Sequence, residues 1–201
     1  SSKNGNFIIS ASSDYSLKLW DVTTGKEMHT LAEHTNVVNS VAISSDGKTA
    51  VSASFDRTVK IWDLNTSKSI KTIRLAAAVN NLAISPDDNY FLLSSTKIQV
   101  WDLKLGFKLR EIQLPENCNG AVSVVFSESG KFVFGVGNSS PIWDFKSGEL
   151  LTTFPSVPIT ENGSVSSVDN KYSITYTNYG LLFKDDKGQL IDVITNYFYD
   201  K

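Results

Sequence analysis

A single cysteine, Cys118, among 201 residues excludes an internal disulfide, and the two histidines lie far from it, leaving no metal-ligand spacing. That thiol is expected in a loop or buried. No stretch approaches about 18 consecutive apolar residues, so no membrane span is expected. The opening SSKNGNFIIS lacks the charged-then-apolar plan of a secretion signal, which points to an intracellular, cytoplasmic home with the nucleus also open. The glycosylation triplets at Asn65, Asn138 and Asn162 argue weakly the other way, but among so many serines they read as turn chemistry. Basic runs are missing too: the net charge is -2, and no stripe of lysine or arginine offers a footprint for nucleic acid or an anionic membrane.

What is present is a globular composition, 41% hydrophobic and 11% aromatic. It is organised around one stretch, His34 to Asp63, HTNVVNSVAISSDGKTAVSASFDRTVKIWD. Three runs rich in β-branched residues, VVNSVAIS, TAVSAS and TVKIWD, are separated by Ser-Ser-Asp-Gly and Phe-Asp-Arg, which are turn punctuation. A fourth run, Ser69 to Ile73, follows the corner at Asn65. The unit predicts four short antiparallel strands, a to d, and such a sheet cannot bury both faces alone.

The unit repeats. Trp20, Trp62, Trp101 and Trp143, with Phe183 in the fifth place, stand at intervals of 42, 39, 42 and 40 residues. Each tryptophan is followed by aspartate, then a polar corner and an apolar closing strand. Four Trp-Asp pairs at blade-length period resemble the WD-repeat β-propellers over nearly the whole chain. The resemblance implies an all-β propeller of four-stranded antiparallel blades, falling at about 1–31, 32–73, 74–113, 114–154 and 155–196.

In that family a blade carries a network of His, Ser or Thr, Asp and Trp, which the second unit matches as His34, Ser52, Asp56 and Trp62. Antiparallel strands bring the d-to-a loop of His34 and the b-to-c turn of Asp56 to one end of the sheet. There the carboxylate can accept from the imidazole, Ser52 can relay, and the Trp62 indole ends the chain. A hydrolase triad is rejected, since Ser52 falls inside a strand instead of beside an oxyanion site.

The other units depart from this pattern. In the first, strand a is missing; Ser10, Asp14 and Trp20 hold network positions without a histidine. The third has Leu75 in the histidine place, no aspartate six before Trp101, and an apolar d-to-a loop, Leu75 to Val79, expected as a spacer or as a contact. In the fourth, Asn117 and Gly137 replace histidine and aspartate, and Pro141 inside strand c predicts a bulge or break. The fifth has Phe183-Lys184 in place of Trp-Asp and a hairpin turn at Thr177 to Gly180. The expected total is nineteen strands, read as a segment of a longer propeller of about seven blades.

Asp46-Gly47-Lys48-Thr49 mimics a phosphate loop, but Ala42 holds the leading glycine place and a strand, not a helix, follows. No cofactor or small-molecule substrate is expected. Thr23, Asn65, Lys104 and Lys146 stand where some WD-repeat ubiquitin-ligase receptors carry arginine. The expectation is a non-catalytic scaffold binding other proteins or peptides through loops on a rigid frame. On the face of the d-to-a and b-to-c loops the candidates are Phe55, Arg57, Tyr15, Tyr179, Asn36 and Glu33, with Phe55 first, because a large ring at a turn tip is costly in water. A regulatory arm of a larger signalling protein is the alternative; an enzyme using a propeller channel is the weakest.

Overall fold

The computed structural model describes residues 5–116, 118, 123–136, 139–155, 164–167, 169–177 and 180–194. It divides into two compact units, Ser1–Gln113 and Leu114–Lys201. Among the described residues nineteen strands form five antiparallel sheets, each a meander in chain order.

In the first unit, sheet 1 holds β1 (Phe7–Ala11), β2 (Leu17–Asp21) and β3 (Glu27–Leu31). Sheet 2 holds β4 (Val38–Ile43), β5 (Thr49–Ser54), β6 (Thr58–Asp63) and β7 (Lys68–Arg74), and sheet 3 holds β8 (Asn81–Ile84), β9 (Tyr90–Ser94), β10 (Ile98–Asp102) and β11 (Lys108–Ile112). Strand β1 has the register of strand b, since Ser10 lies opposite Lys18 as Ser52 lies opposite Lys60. The a-to-b turns are built by serine and aspartate. Ser44 donates to Asp46 at 2.7 Å, Asp46 accepts the Lys48 N–H at 2.9 Å, and Gly47 takes φ 71°, where a side chain would be strained.

Every last strand carries a bulge in the same place, against the Trp-Asp end of strand c in sheets 1 to 4 and against Phe183-Lys184 in sheet 5. The residues left unpaired are Met28, Ile70, Leu109, Leu151 and Ile191, each three before a buried apolar residue: Leu31, Ile73, Ile112, Phe154 and Ile194. An apolar pair three apart cannot share one face of a regular strand, so the partner goes inward and Met28, Ile70 and Leu109 stay exposed.

Sheets 1 to 3 bury alternate residues against one another. Ile9, Leu17, Leu19 and Leu31 meet Val38, Ala50, Trp62 and Leu64, while Val51, Val59, Ile61 and Ile73 meet Leu82, Phe91, Leu93 and Trp101. Trp62 and Trp101 thus each face the preceding sheet. Leu75 and Val79, at the two ends of the apolar d-to-a loop, pack into the core between sheets 2 and 3, so the loop is a contact and not a spacer. Gly106, at φ +60°, sits where a Cβ would come within 2.6 Å of the Lys71 side chain and 3.2 Å of Ile61. Gly106→Ala is expected to lower the stability of this unit by about 1–2 kcal/mol, measurable as a shift in urea midpoint.

In the second unit, sheet 4 holds β12 (Ser123–Phe126), β13 (Phe132–Val136), β14 (Ser139–Asp144) and β15 (Leu150–Pro155); sheet 5 holds β16 (Ser164–Ser166), β17 (Tyr172–Thr177), β18 (Gly180–Asp185) and β19 (Leu190–Ile194). Pro141 does not break its strand. It pairs with Thr153, and the described pairing of β14 with β13 ends at Ile142, next to the proline, so the lost donor falls at the end of that ladder. The bulge beside it recurs in all five sheets and owes nothing to proline.

Sheets 4 and 5 do not stack as sheets 1 to 3 do. In the first unit two hydrogen bonds between sheets 2 and 3 join residues one repeat apart, Leu82 N–H to Ser40 and Ser45 N–H to Asp88, 42 and 43 residues away. In the second unit Ser129 of the a-to-b turn donates to Asp192 of β19, 63 residues on, and Thr152 of β15 donates to Asp169 in the next a-to-b turn, 17 on. The two sheets therefore lie face to face with their strand orders opposed, first strand toward last.

The cause is a one-residue change of register. Phe183 lies opposite Ile174 and one residue before the bulge, the place of Ile61; Lys184 occupies the place of Trp62, and Asp185 that of Asp63. Phe183 is consequently not the counterpart of the tryptophans. A slip of one residue exchanges the faces, and the apolar face of sheet 5, with Tyr172, Ile174, Leu181, Phe183 and Ile194, is the one that would face onward in sheet 2. It packs instead on Phe132, Phe134, Ile142 and Phe154.

Candidate functional site

The second sheet assembles its four network side chains in contact. His34 Nδ1 lies 2.8 Å from Asp56 Oδ2, His34 Nε2 lies 2.7 Å from Ser52 Oγ, and the Trp62 indole N–H donates to Ser52 Oγ at 2.8 Å. Because the serine oxygen already accepts the indole proton, its own hydrogen goes to Nε2, leaving the imidazole proton on Nδ1 to donate to Asp56. Burial holds the His34 pKa below its ordinary value, against the pull of Asp56. The imidazole is neutral in this chain of donors.

Asp56 is fixed from several sides. Thr58 donates to it through both N–H (2.8 Å) and Oγ1 (2.6 Å), and the Thr35 N–H donates at 3.0 Å. Burial alone would raise its pKa, but these bonds and the one from His34 outweigh it and hold the group at about 2. The Ser-His-Asp contacts have the connectivity of a nucleophilic triad, yet Ser52 has 0% of its surface exposed and is locked by Trp62. No carbonyl can reach it, and the network's chemistry is to satisfy buried donors.

In sheet 1 the structure joins Ser10 to Trp20, at 2.9 Å, but not to Asp14, which accepts from Ser16 N–H and Oγ in its own turn. The imidazole is the bridge between the two halves, and without one they stay separate. In sheet 3, Leu93 stands in the serine place; the Trp101 indole instead donates to Gln99 at 3.1 Å, and its ring stacks on Phe91. Gln99 corresponds to Lys60, two before the tryptophan. Lys60 itself is 9% exposed at its side chain, lies 5.8 Å over the Trp62 ring and donates to Thr72 and Glu33. Sequence reasoning passed over this position, although the recurring Lys-x-Trp of KLW and KIW was a readable sign.

The loop candidates separate into two groups. Phe55, 50% exposed, Tyr15, 45% exposed, and exposed Arg57 and Asn36 all lie at the b-to-c and d-to-a end of the first unit. Backbone bonds tie these loops in series: Val38 N–H donates to Ser12 O, Phe55 N–H to Val37 O, and Leu75 N–H to Arg57 O. Tyr15 and Arg57 hold positive φ, 73° and 63°, at the matching position of successive turns. Glu33 does not join them, because it accepts from Lys60 and from Ser69 on the side of sheet 2. Tyr179, Asn117 and Gly137 lie outside the described residues. Cys118 Sγ lies 2.9 Å from Ser139 Oγ, and no cluster of three metal-ligating side chains occurs among the described residues.

Five meandering antiparallel sheets, with Trp62 and Trp101 each laid on the sheet before and one sheet closed by an indole–hydroxyl–imidazole–carboxylate chain, define a protein of repeated β-sheet units. The WD domain, G-beta repeat family matches residues 1–21 and 25–63. Similar proteins include Autophagy-related protein 16 of Arabidopsis thaliana, 29% identical over 110 residues that make up 51% of this chain and 22% of that protein. Small ribosomal subunit protein RACK1y of Oryza sativa subsp. japonica is 32% identical over 108 residues, 53% of this chain and 32% of that protein. Nuclear distribution protein PAC1 of Arthroderma otae is 51% identical over 45 residues, 22% of this chain and 10% of that protein. The family match thus covers the first two repeats, and the chain spans a third or less of the length of these relatives.

Proposed function

We propose that the chain is an intracellular, non-catalytic docking platform for other proteins or peptides, and that partners sit on the end of the first unit that carries Phe55. One observation carries this reading: an exposed phenylalanine, tyrosine and arginine stand on turns locked to one another by backbone hydrogen bonds, so they meet a partner already ordered. Tyr15 and Arg57 occupy a left-handed backbone position that glycine would fill with less strain, which favours a role for their side chains. The buried network beneath holds the frame still.

Affinity capture with the whole chain tests it. Phe55→Ala and Tyr15→Ala should each weaken recovery of the proteins bound by the unaltered chain by roughly tenfold, the cost of truncating an aromatic anchor. An unchanged set of bound proteins for both variants would remove this end of the molecule from consideration.

A further inference from the structure

Three members of the buried network, Ser52, Asp56 and Trp62, belong to the β5–β6 hairpin, and the fourth, His34, belongs to the loop 32–37 that joins β3 to β4. The imidazole therefore pins a loop to a hairpin. Beside it, Asp56 Oδ2 accepts the Thr35 N–H as well as Nδ1–H, Asn36 O accepts from Ser54 Oγ at 3.0 Å, and Val37 O accepts the Phe55 N–H at 2.9 Å. Four consecutive loop residues grip the turn from Ser54 to Asp56, and Phe55 stands in the middle of that grip.

The bond at Nε2 requires a neutral imidazole. Ser52 Oγ accepts from Trp62 and gives its own hydrogen to His34 Nε2, and among the described residues Nε2 is the acceptor that hydroxyl has. A protonated imidazole carries a hydrogen on both nitrogens, so Nε2–H meets the Ser52 hydroxyl donor to donor, or turns it away from its acceptor. Neither group has water to fall back on, since Ser52 and the His34 side chain are 0% exposed. At the other nitrogen nothing changes, because Nδ1–H already lies against Asp56 Oδ2 and, at 3.2 Å, Thr58 Oγ1. Of the charges around the ring, Asp56 and Glu33 draw a proton on and Lys60 keeps it off; burial, the largest influence, sides with Lys60 and holds the group below its ordinary value. We propose that His34 is an acid-released latch: when it takes up a proton the imidazole leaves its slot, loop 32–37 opens with it, and the turn that presents Phe55 loses its lock. The effect on docking rests on the reading of this end as the partner surface; the opening itself does not. An open loop takes up its proton near the ordinary 6.5 and a closed one only at lower pH, so the open fraction grows by up to about tenfold for each pH unit below 6.5 until the closed form is protonated too.

Native-state amide exchange on the whole chain, read by nitrogen-15 NMR from about pH 7.5 down to about 5 with small additions of urea, tests this. Corrected for the intrinsic pH dependence of exchange, protection at Thr35 and Phe55 should fall by up to about tenfold per pH unit below 6.5 and should be indifferent to urea, because a loop opening exposes little surface. Gly47, whose N–H bonds to Ser44 O in the a-to-b turn at the other end of sheet 2, should keep its protection. His34→Gln, which takes up no proton, should lose the slope, and His29→Gln, at the other histidine, should keep it. Flat protection at Thr35 and Phe55 in the unaltered chain, urea dependence there as steep as at Val51 and Ile61, or a slope that survives in His34→Gln would overturn the latch. The first two of these need only the unaltered chain. Affinity capture with Phe55→Ala reports on docking alone, so the failure of that reading and the failure of the latch are seen in different measurements.

Discussion

Phe183→Ala is expected to remove about 3–5 kcal/mol from the stability of the second unit, whereas Lys184→Ala should cost about 1 kcal/mol or less. Phe183 is 1% exposed and its ring meets Phe132, Phe134 and Phe154 edge-on, with centroids 5.6, 5.7 and 6.5 Å away and interplanar angles of 74°, 88° and 83°. Tyr172 lies at 5.2 Å on its own sheet. Truncation therefore empties the centre of a cluster built from both sheets, and each neighbouring ring loses an edge-to-face partner as well as buried area. Amide hydrogen exchange resolves the effect locally: protection at Phe134, Ile142, Ile174 and Leu181 should fall together, while Val51 and Ile61 in the first unit keep theirs. Equal losses from the two variants would mean that Phe183 and Lys184 share one environment and that the register is not as described.

That contrast shows where sequence was sufficient and where it was not. The strand pattern and the sheet order were legible because alternation and Ser-x-Asp-Gly turns act within a few residues. The network of sheet 2 was legible because antiparallel geometry alone brings His34, Ser52, Asp56 and Trp62 to one end. Phe183 misled because it stands five residues before Gly188, as Trp143 stands five before Gly148. The fifth c-to-d turn is one residue shorter than the fourth: Gly188 N–H closes on Asp185, three back, where Gly148 closes on Asp144, four back. The deletion lies inside the turn, and counting from the glycine carries it silently into the strand. Its consequence depends on both flanking strands, which only pairing reveals. The bulge residues Met28, Ile70 and Leu109 were hidden for a related reason, since an apolar pair three apart reads as a broken alternation until the bulge supplies the missing step. Lys60 and Gln99 were passed over because a polar residue in a strand looks like a solvent-facing one, although residues two apart on a strand share a face and so set each beside its indole.

Asp56→Asn is expected to destabilise the first unit by about 2–3 kcal/mol at neutral pH and to flatten its response to acid. The carboxylate has one oxygen for His34 Nδ1–H and the Thr35 N–H and the other for the two donors of Thr58. An amide keeps a single acceptor oxygen and turns its NH₂ toward donors on the other side, so at least one buried pair becomes donor against donor. In the unaltered protein Asp56 has a folded pKa of about 2 against an ordinary value of 3.8. The unfolded chain thus binds more protons between those values, and a contribution on the order of 2 kcal/mol, complete above about pH 4, is lost as pH falls toward 2. His34 acts in the same sense at higher pH. With its folded pKa lowered by burial, the unfolded state is again the better proton acceptor, so stability declines as pH drops below the ordinary histidine value of 6.5. Urea midpoints measured from pH 7 down to about 2.5 should fall in two stages for the unaltered chain, the second reduced in Asp56→Asn to the part carried by the other carboxylates with lowered pKa, among them Glu33, Asp46 and Asp87. A variant curve that ran parallel to the unaltered one throughout would show that Asp56 is not ionised within the network, and the protons between Asp56, His34 and Ser52 would have to run the other way, with Trp62 still donating.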